Sequence, residues 1–167
     1  MINLFRAVGL AGVTALVAIT GLTAAAPSAS AASCSGTGCN GKNPQTTGCV
    51  SDAVTVSNAH ASDGHYIELR YSKKCKALWV RGDHFSTVKL EAGHYDKCGS
   101  WTVQKTAKTP SSGYWFTNDS PYYQWTPMIS AKGYERFRFF GDGNYWYWKN
   151  TKVANGVAPV EVSPGRC

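Results

Sequence analysis

The stretch "YIELRYSKKCKALWVRG", Tyr66 to Gly82, decides the fold. Its first seven residues alternate: Ile67, Leu69 and Tyr71 fall on one side, and Tyr66, Glu68 and Arg70 on the other. A period of two, built from aliphatic and aromatic residues, is the signature of a half-buried strand. The polar "SKK" reads as a turn, and "KALWVRG" follows as the next strand.

The same pattern continues outward. "VTV" lies upstream. Downstream, "TVKLEA" places Val88 and Leu90 inward, and "WTVQK" places Trp101 and Val103 inward. Gly, Asn, Asp, Ser and Pro punctuate these runs, and no segment after the first 32 residues shows a helical period with caps. The expectation is an all-β domain: a small disulfide-stapled barrel or sandwich of short antiparallel strands, with an irregular cystine-rich segment at its N-terminal side.

"RFRFFGDGNYWYWKN", Arg136 to Asn150, reads as a hairpin closing on Asp142-Gly143. A two-residue loop there sets Phe139 opposite Trp146 and Phe137 opposite Trp148, on a core-facing side. The other side carries Arg136, Arg138, Phe140, Tyr145, Tyr147 and Lys149. A hairpin needs one aromatic face for its core, and this one has two. Either the second face packs under "SSGYWFTNDSPYYQW", or the two aromatic segments wall one cleft with the arginines at its mouth. Arg136, Arg138, Tyr145, Tyr147, Trp115 and Tyr123 are therefore the candidate binding residues. A guanidinium beside a phenol ring can stack on it and still present donors to an anion.

Residues 1–32 read as a secretory signal peptide. Arg6 gives the positive start, a long apolar run follows, and "APSASAAS" supplies small residues for cleavage after Ala31 or Ala32. Residues 33–52 form the cysteine-rich segment and 53–167 the β domain. No other run is long and apolar enough to span a bilayer. All six cysteines (Cys34, Cys39, Cys49, Cys75, Cys98 and Cys167) follow the cleavage point. An even count in an exported chain reads as disulfides, since neither "CSGTGC" nor the scattered histidines has finger-like zinc spacing. No metal or other cofactor is expected. The 17 basic residues lose Arg6 on cleavage, so 16 face 10 acidic ones, a net +6. Such a charge keeps a protein soluble and draws it to anionic polymers. The lysines are scattered apart from "KKCK", which leaves no stripe resembling a nucleic-acid footprint.

Catalysis has one candidate stretch, "GDHFSTVKLEAGHYDKCG", which holds Asp83, His84, Ser86, Glu91, His94 and Asp96. No nucleophile elbow accompanies them, and loop polars around a strand are the simpler reading. There is no phosphate-cradling glycine loop.

"CNGKNPQTTGCVSDAVTV", followed by "IELRYSKKCKALWVRG", resembles the YjfA-like family of exported Gram-positive proteins, a domain of unknown function (2690). The matching residues are Gly41, Lys42, Pro44, Gly48, Cys49, Asp52, Ala53, Glu68, Leu69, Arg70, Tyr71, Ser72, Cys75, Trp79 and Arg81. "YQWTPMI", Tyr123 to Ile129, is similar to a later segment of the family. The resemblance implies an extracellular domain, sometimes attached to membrane-bound helix-turn-helix regulators, and it implies no activity. Because Cys49 and Cys75 both lie in the matched block, they are expected to pair. Cys34–Cys39 and Cys98–Cys167 are the simplest completion.

The function expected is that of a secreted, non-catalytic binding protein whose partner is an extracellular protein or an anionic, sugar-rich polymer. The alternatives are a secreted inhibitor or antagonistic factor, and a small extracellular hydrolase.

Overall fold

The structure is a computed structural model that describes residues 31–61, 64–110, 123–141, 151–152 and 160–161. The expected signal peptide (through residue 30), the tip of the aromatic hairpin, Trp115, Tyr145, Tyr147 and Cys167 lie outside the described residues.

Ten strands are described: β1 (Ala53–His60), β2 (Tyr66–Ser72), β3 (Ala77–Asp83), β4 (Val88–Tyr95), β5 (Trp101–Lys108), β6 (Tyr123–Trp125), β7 (Ile129–Ser130), β8 (Arg136–Gly141), β9 (Thr151–Lys152) and β10 (Val160–Glu161). They form two antiparallel sheets. The first runs β1-β2-β3-β6, with β7 also on β3, and the second runs β10-β9-β8-β4-β5. The all-β expectation holds, and of its two forms the sandwich is the one found.

Alternation explains why these sheets stack. Ile67, Leu69 and Tyr71 of β2 and Leu78 and Val80 of β3 point inward from the first sheet. Val88, Leu90 and Ala92 of β4, with Phe137 and Phe139 of β8, meet them from the second. Phe85, in the crossover from β3 to β4, closes one end. A Cβ on Gly82 would lie 2.8 Å from its ring and one on Gly141 2.3 Å, so both strands need glycine where the ring sits. The two sheets also meet at an edge, where the Ser57 hydroxyl of β1 donates to the Glu161 carboxylate of β10.

The cysteine-rich segment lies against the outer face of the first sheet. Two disulfides, Cys34–Cys39 and Cys49–Cys75, hold it there, as expected for both pairs. Backbone hydrogen bonds add to them: Gly36 N–H to Cys75 O at 2.7 Å, Gly41 N–H to Met128 O at 2.9 Å and Met128 N–H to Lys42 O at 2.9 Å. The Asn43 side-chain oxygen Oδ1 accepts from the Trp125 indole at 3.1 Å, and the Asp52 carboxylate accepts from the Ser72 hydroxyl at 2.6 Å. Trp79, Trp125, Met128 and Ala77 are buried beneath this cover. A segment with almost no apolar side chains of its own thus gains order by lidding another surface. Cys98 is exposed and forms no disulfide with any described cysteine.

Two expectations are corrected. On β5, Trp101 and Val103 do not point inward: Trp101 is half-buried and Val103 is 44 % exposed. Lys105 lies opposite Ala92 but Val103 opposite Gly93, so Gln104 is an extra residue. This bulge turns the start of β5 over. On the hairpin, Phe137 lies opposite Thr151, not Trp148, and Arg136 lies opposite Lys152. The register is thus offset by three positions from the expected one. Glu68 lies on the side opposite Ile67, Leu69 and Tyr71, as its alternation predicts, and is nonetheless only 2 % exposed.

Candidate functional site

Each sheet has an outer face built round one buried carboxylate. On the first sheet it is Glu68 of β2. Arg81 of β3 donates to one oxygen, while the other accepts from the Thr55 hydroxyl and lies 3.4 Å from Arg70. Arg70 in turn donates to Thr55 Oγ1 at 3.0 Å and to the Ala53 carbonyl at 2.9 Å. The Arg81 guanidinium stacks over Tyr123 at 4.9 Å. Tyr66 adjoins this cluster, and burial, with Glu68 adding to it, raises its phenol above the ordinary value. On this face Glu68 and Asp83 balance Arg70 and Arg81, and the cystine segment covers its other half.

On the second sheet the carboxylate is Glu91 of β4, 6 % exposed. The Arg138 guanidinium of β8 donates to it at 2.7 Å, and the Lys89 ammonium lies 2.9 Å away. Burial would raise the Glu91 carboxyl, but hydrogen bonds from Lys89 and Arg138 and their charges outweigh it, holding the group below the ordinary carboxylate range. Arg138 is flanked by two rings, with its guanidinium 4.7 Å from Trp101 and 5.2 Å from Phe140. Lys89 lies 4.3 Å over Phe140, and Arg136 5.5 Å over Tyr95.

Trp101 reaches this face because of the β5 bulge and because of Gly93. A Cβ at Gly93 would come within 2.9 Å of the indole. Tyr95 meets Trp101 edge-on at 4.9 Å. By register, Lys108 shares the face through Lys89, and Lys152 through Arg136. Lys89, Lys108, Arg136, Arg138 and Lys152 thus stand against two carboxylates, the buried Glu91 and the exposed Glu135, which lies 3.8 Å from Arg136. The aromatic and cationic groups keep partial exposure here, unlike the tryptophans under the cystine cover.

Of the six expected binding residues, the structure brings Arg136 and Arg138 together on this face. It separates Tyr123 from them, since β6 belongs to the first sheet and Tyr123 lies on that sheet's outer face. Trp115, Tyr145 and Tyr147 lie outside the described residues. Lys89, Glu91, Tyr95 and Trp101 were not among the expected residues. The signal that could have found three of them is the alternation of "KLEAGHY", which puts Lys89, Glu91 and Tyr95 on one side of a strand.

The six residues of the catalytic stretch do not converge. Asp83 Oδ1 lies 2.5 Å from His84 Nδ1 at the end of β3. Glu91 is committed to its two cations. Asp96 closes the β4–β5 turn by accepting from the Cys98 and Ser100 amides, at 2.9 and 2.7 Å. Among the described residues no hydrogen bond or ion pair joins His94 to a carboxylate. Also among them, no helix is long and apolar enough to cross a membrane.

Neither a comparison with curated proteins nor one with solved structures gives a match. A family model does match, over residues 37–138. That range takes in the cystine cover from Thr37 on, without Cys34, together with both buried carboxylates and both arginines of the cationic face, and it ends before the hairpin tip. It spans more than half of the 167 residues, so this chain belongs to the family described as protein of unknown function (DUF2690).

Proposed function

We propose that this is a secreted, non-catalytic binding protein that engages an anionic, sugar-rich polymer outside the cell through the outer face of the second sheet. One observation carries the reading: the Arg138 guanidinium, fixed by Glu91 and set between Trp101 and Phe140 among four further cations. Flat rings offer apolar surface to sugar C–H groups, and the surplus charge favours carboxylate or phosphate substituents. Secretion is supported by the signal-like first 32 residues and by the two disulfides. Less supports a hydrolase, because the acids and histidines of the catalytic stretch are dispersed.

The test is retention on an immobilised acidic polysaccharide, with a neutral polysaccharide of similar backbone as reference. Wild-type protein should bind the acidic polymer, and less well as salt rises. The exposed pair Lys108→Glu/Lys152→Glu, and separately Trp101→Ala, should weaken binding while the melting temperature shows a native fold. Native-folded variants that bind like wild type would refute the assignment of this face.

A further inference from the structure

The four cysteines of the cover carry a second chemistry. Their Sγ atoms all lie within 4.8 Å of one another, although two disulfides would suffice to pin the segment from separate places. Between the disulfides, Cys34 Sγ and Cys49 Sγ are 3.8 Å apart. Four thiolates around Zn²⁺ at about 2.3 Å stand about 3.8 Å apart in a tetrahedron, so the sulfurs need little movement to reach it. We propose that, once reduced, Cys34, Cys39, Cys49 and Cys75 form a four-thiolate site for a soft cation, Zn²⁺ being the fitting divalent case.

Three features of the surroundings suit this. The sulfurs come from three separate places: the turn Gly36–Cys39 with Cys34 before it, the turn Cys49–Asp52, and the β2–β3 connection at Cys75. One ion would therefore do the stapling now done by two covalent bonds. The site is closed, with Cys39, Cys49 and Cys75 fully buried and Cys34 only partly so, as a structural zinc centre requires. An outer partner is within reach, since Thr47 Oγ1, 2.8 Å from the Asn43 backbone carbonyl oxygen, lies 3.1 Å from Cys49 Sγ and can turn its one proton to the sulfur. Lys74 and Lys76 flank Cys75 in the chain and Lys42 follows Cys39 closely, which offsets the negative charge of four thiolates.

The exchange balances simply. Two dithiol molecules each give two electrons and two protons to one protein disulfide, becoming disulfides themselves and leaving four protein thiols. One M²⁺ then displaces four protons and forms a [M(SCys)₄]²⁻ centre. In the reverse direction two disulfide molecules each take up two electrons and two protons, becoming dithiols, while the four thiolates re-form both bridges and the ion leaves.

The experiment uses the full chain carrying Cys98→Ser and Cys167→Ser, so that only the four cover cysteines remain. It is reduced without oxygen and titrated with Co²⁺, then with Zn²⁺. Expected are thiolate-to-cobalt charge-transfer absorption with tetrahedral ligand-field bands, saturation at one ion per chain, and displacement of Co²⁺ by Zn²⁺. The emission of Trp79 and Trp125 should return to that of the oxidised protein as metal binds, and all four thiols should resist alkylation. Thr47→Val should weaken Zn²⁺ binding by about 10- to 100-fold, and Cys39→Ser by more. The idea is overturned by absence of the thiolate bands, by a stoichiometry other than one, or by unchanged affinity in Cys39→Ser. Metal uptake without recovery of the tryptophan emission would equally sink it, because that marks chelation by an unfolded chain.

Discussion

Glu68 and Glu91 solve one problem twice and end in different roles. Each is a carboxylate on the outer face of a sheet, almost wholly buried and held by two cations. Around Glu68 the charges cancel, and the rest of the face is roofed by the cystine segment. Around Glu91 the charges do not cancel, and the aromatic rings lean on guanidiniums instead of on a cover. A buried ion pair by itself is weak support for either stability or function. What distinguishes the faces is the surplus: the first is finished, and the second keeps cations and rings to offer.

The largest break in this comparison comes from inside it. Phe139 and Phe140 are neighbours on β8 with opposite outlooks, one in the core and one beside Arg138. Phe139→Ala should cost about 3–5 kcal/mol by leaving a core cavity, measured by chemical denaturation. Removing the cover is next. Cys49→Ala/Cys75→Ala should cost about 2–5 kcal/mol and expose Trp79 and Trp125 to quenchers, while Trp101 fluorescence is unmoved. Equal change at all three tryptophans would mean that the cover supports both faces.

A smaller effect tests the two carboxylates directly. Glu91→Gln should cost about 1–3 kcal/mol at neutral pH, because buried donors of Arg138 lose a charged acceptor. It should also change the acid limb. A carboxyl lowered in the folded state adds stability above its ordinary pKa, near 4.3, and that stability is lost as pH falls through the lowered value. Stability of the wild type should therefore fall with acidification below about pH 4.3, and the Gln variant should show a shallower fall. Identical acid limbs would mean that Glu91 is not held low. Smallest of all, Phe140→Ala should shift stability by no more than about 1 kcal/mol yet loosen polymer binding, which separates the outer face from the core once more.

How much of this was legible in the sequence follows from where local rules suffice. Alternation placed Ile67, Leu69, Tyr71, Val88, Leu90, Phe137 and Phe139 in the core, and put Arg136, Arg138 and Phe140 on the opposite face. Period two is a property of the strand alone. It failed at Trp101 and Val103 because the bulge at Gln104 needs the partner strand to be known. It failed for the hairpin register because Phe137↔Thr151 depends on a loop length that "GDGN" does not fix. The burial of Glu68 was invisible for a further reason: its cations, Arg70 and Arg81, sit on two strands, and only the register brings them together. The candidate face was half legible. Its arginines were marked, whereas Glu91 and Trp101 join them across three strands of differing sequence distance.

The last strand of the second sheet and the first strand of the first sheet touch through Glu161 and Ser57. Two of the sandwich's borders are thereby turned toward each other and withheld from other molecules. Among the described residues the border formed by β5 pairs with no further strand, and there the ladder is kinked at Gln104 and flanked by exposed Lys105 and Lys108. A foreign strand trying to extend this sheet would meet a broken row of backbone partners and two ammonium groups. Protection against amyloid-like growth is therefore written into the same bulge that turns Trp101 outward. Straightening it would cost the chain its aromatic face and its resistance to self-association together.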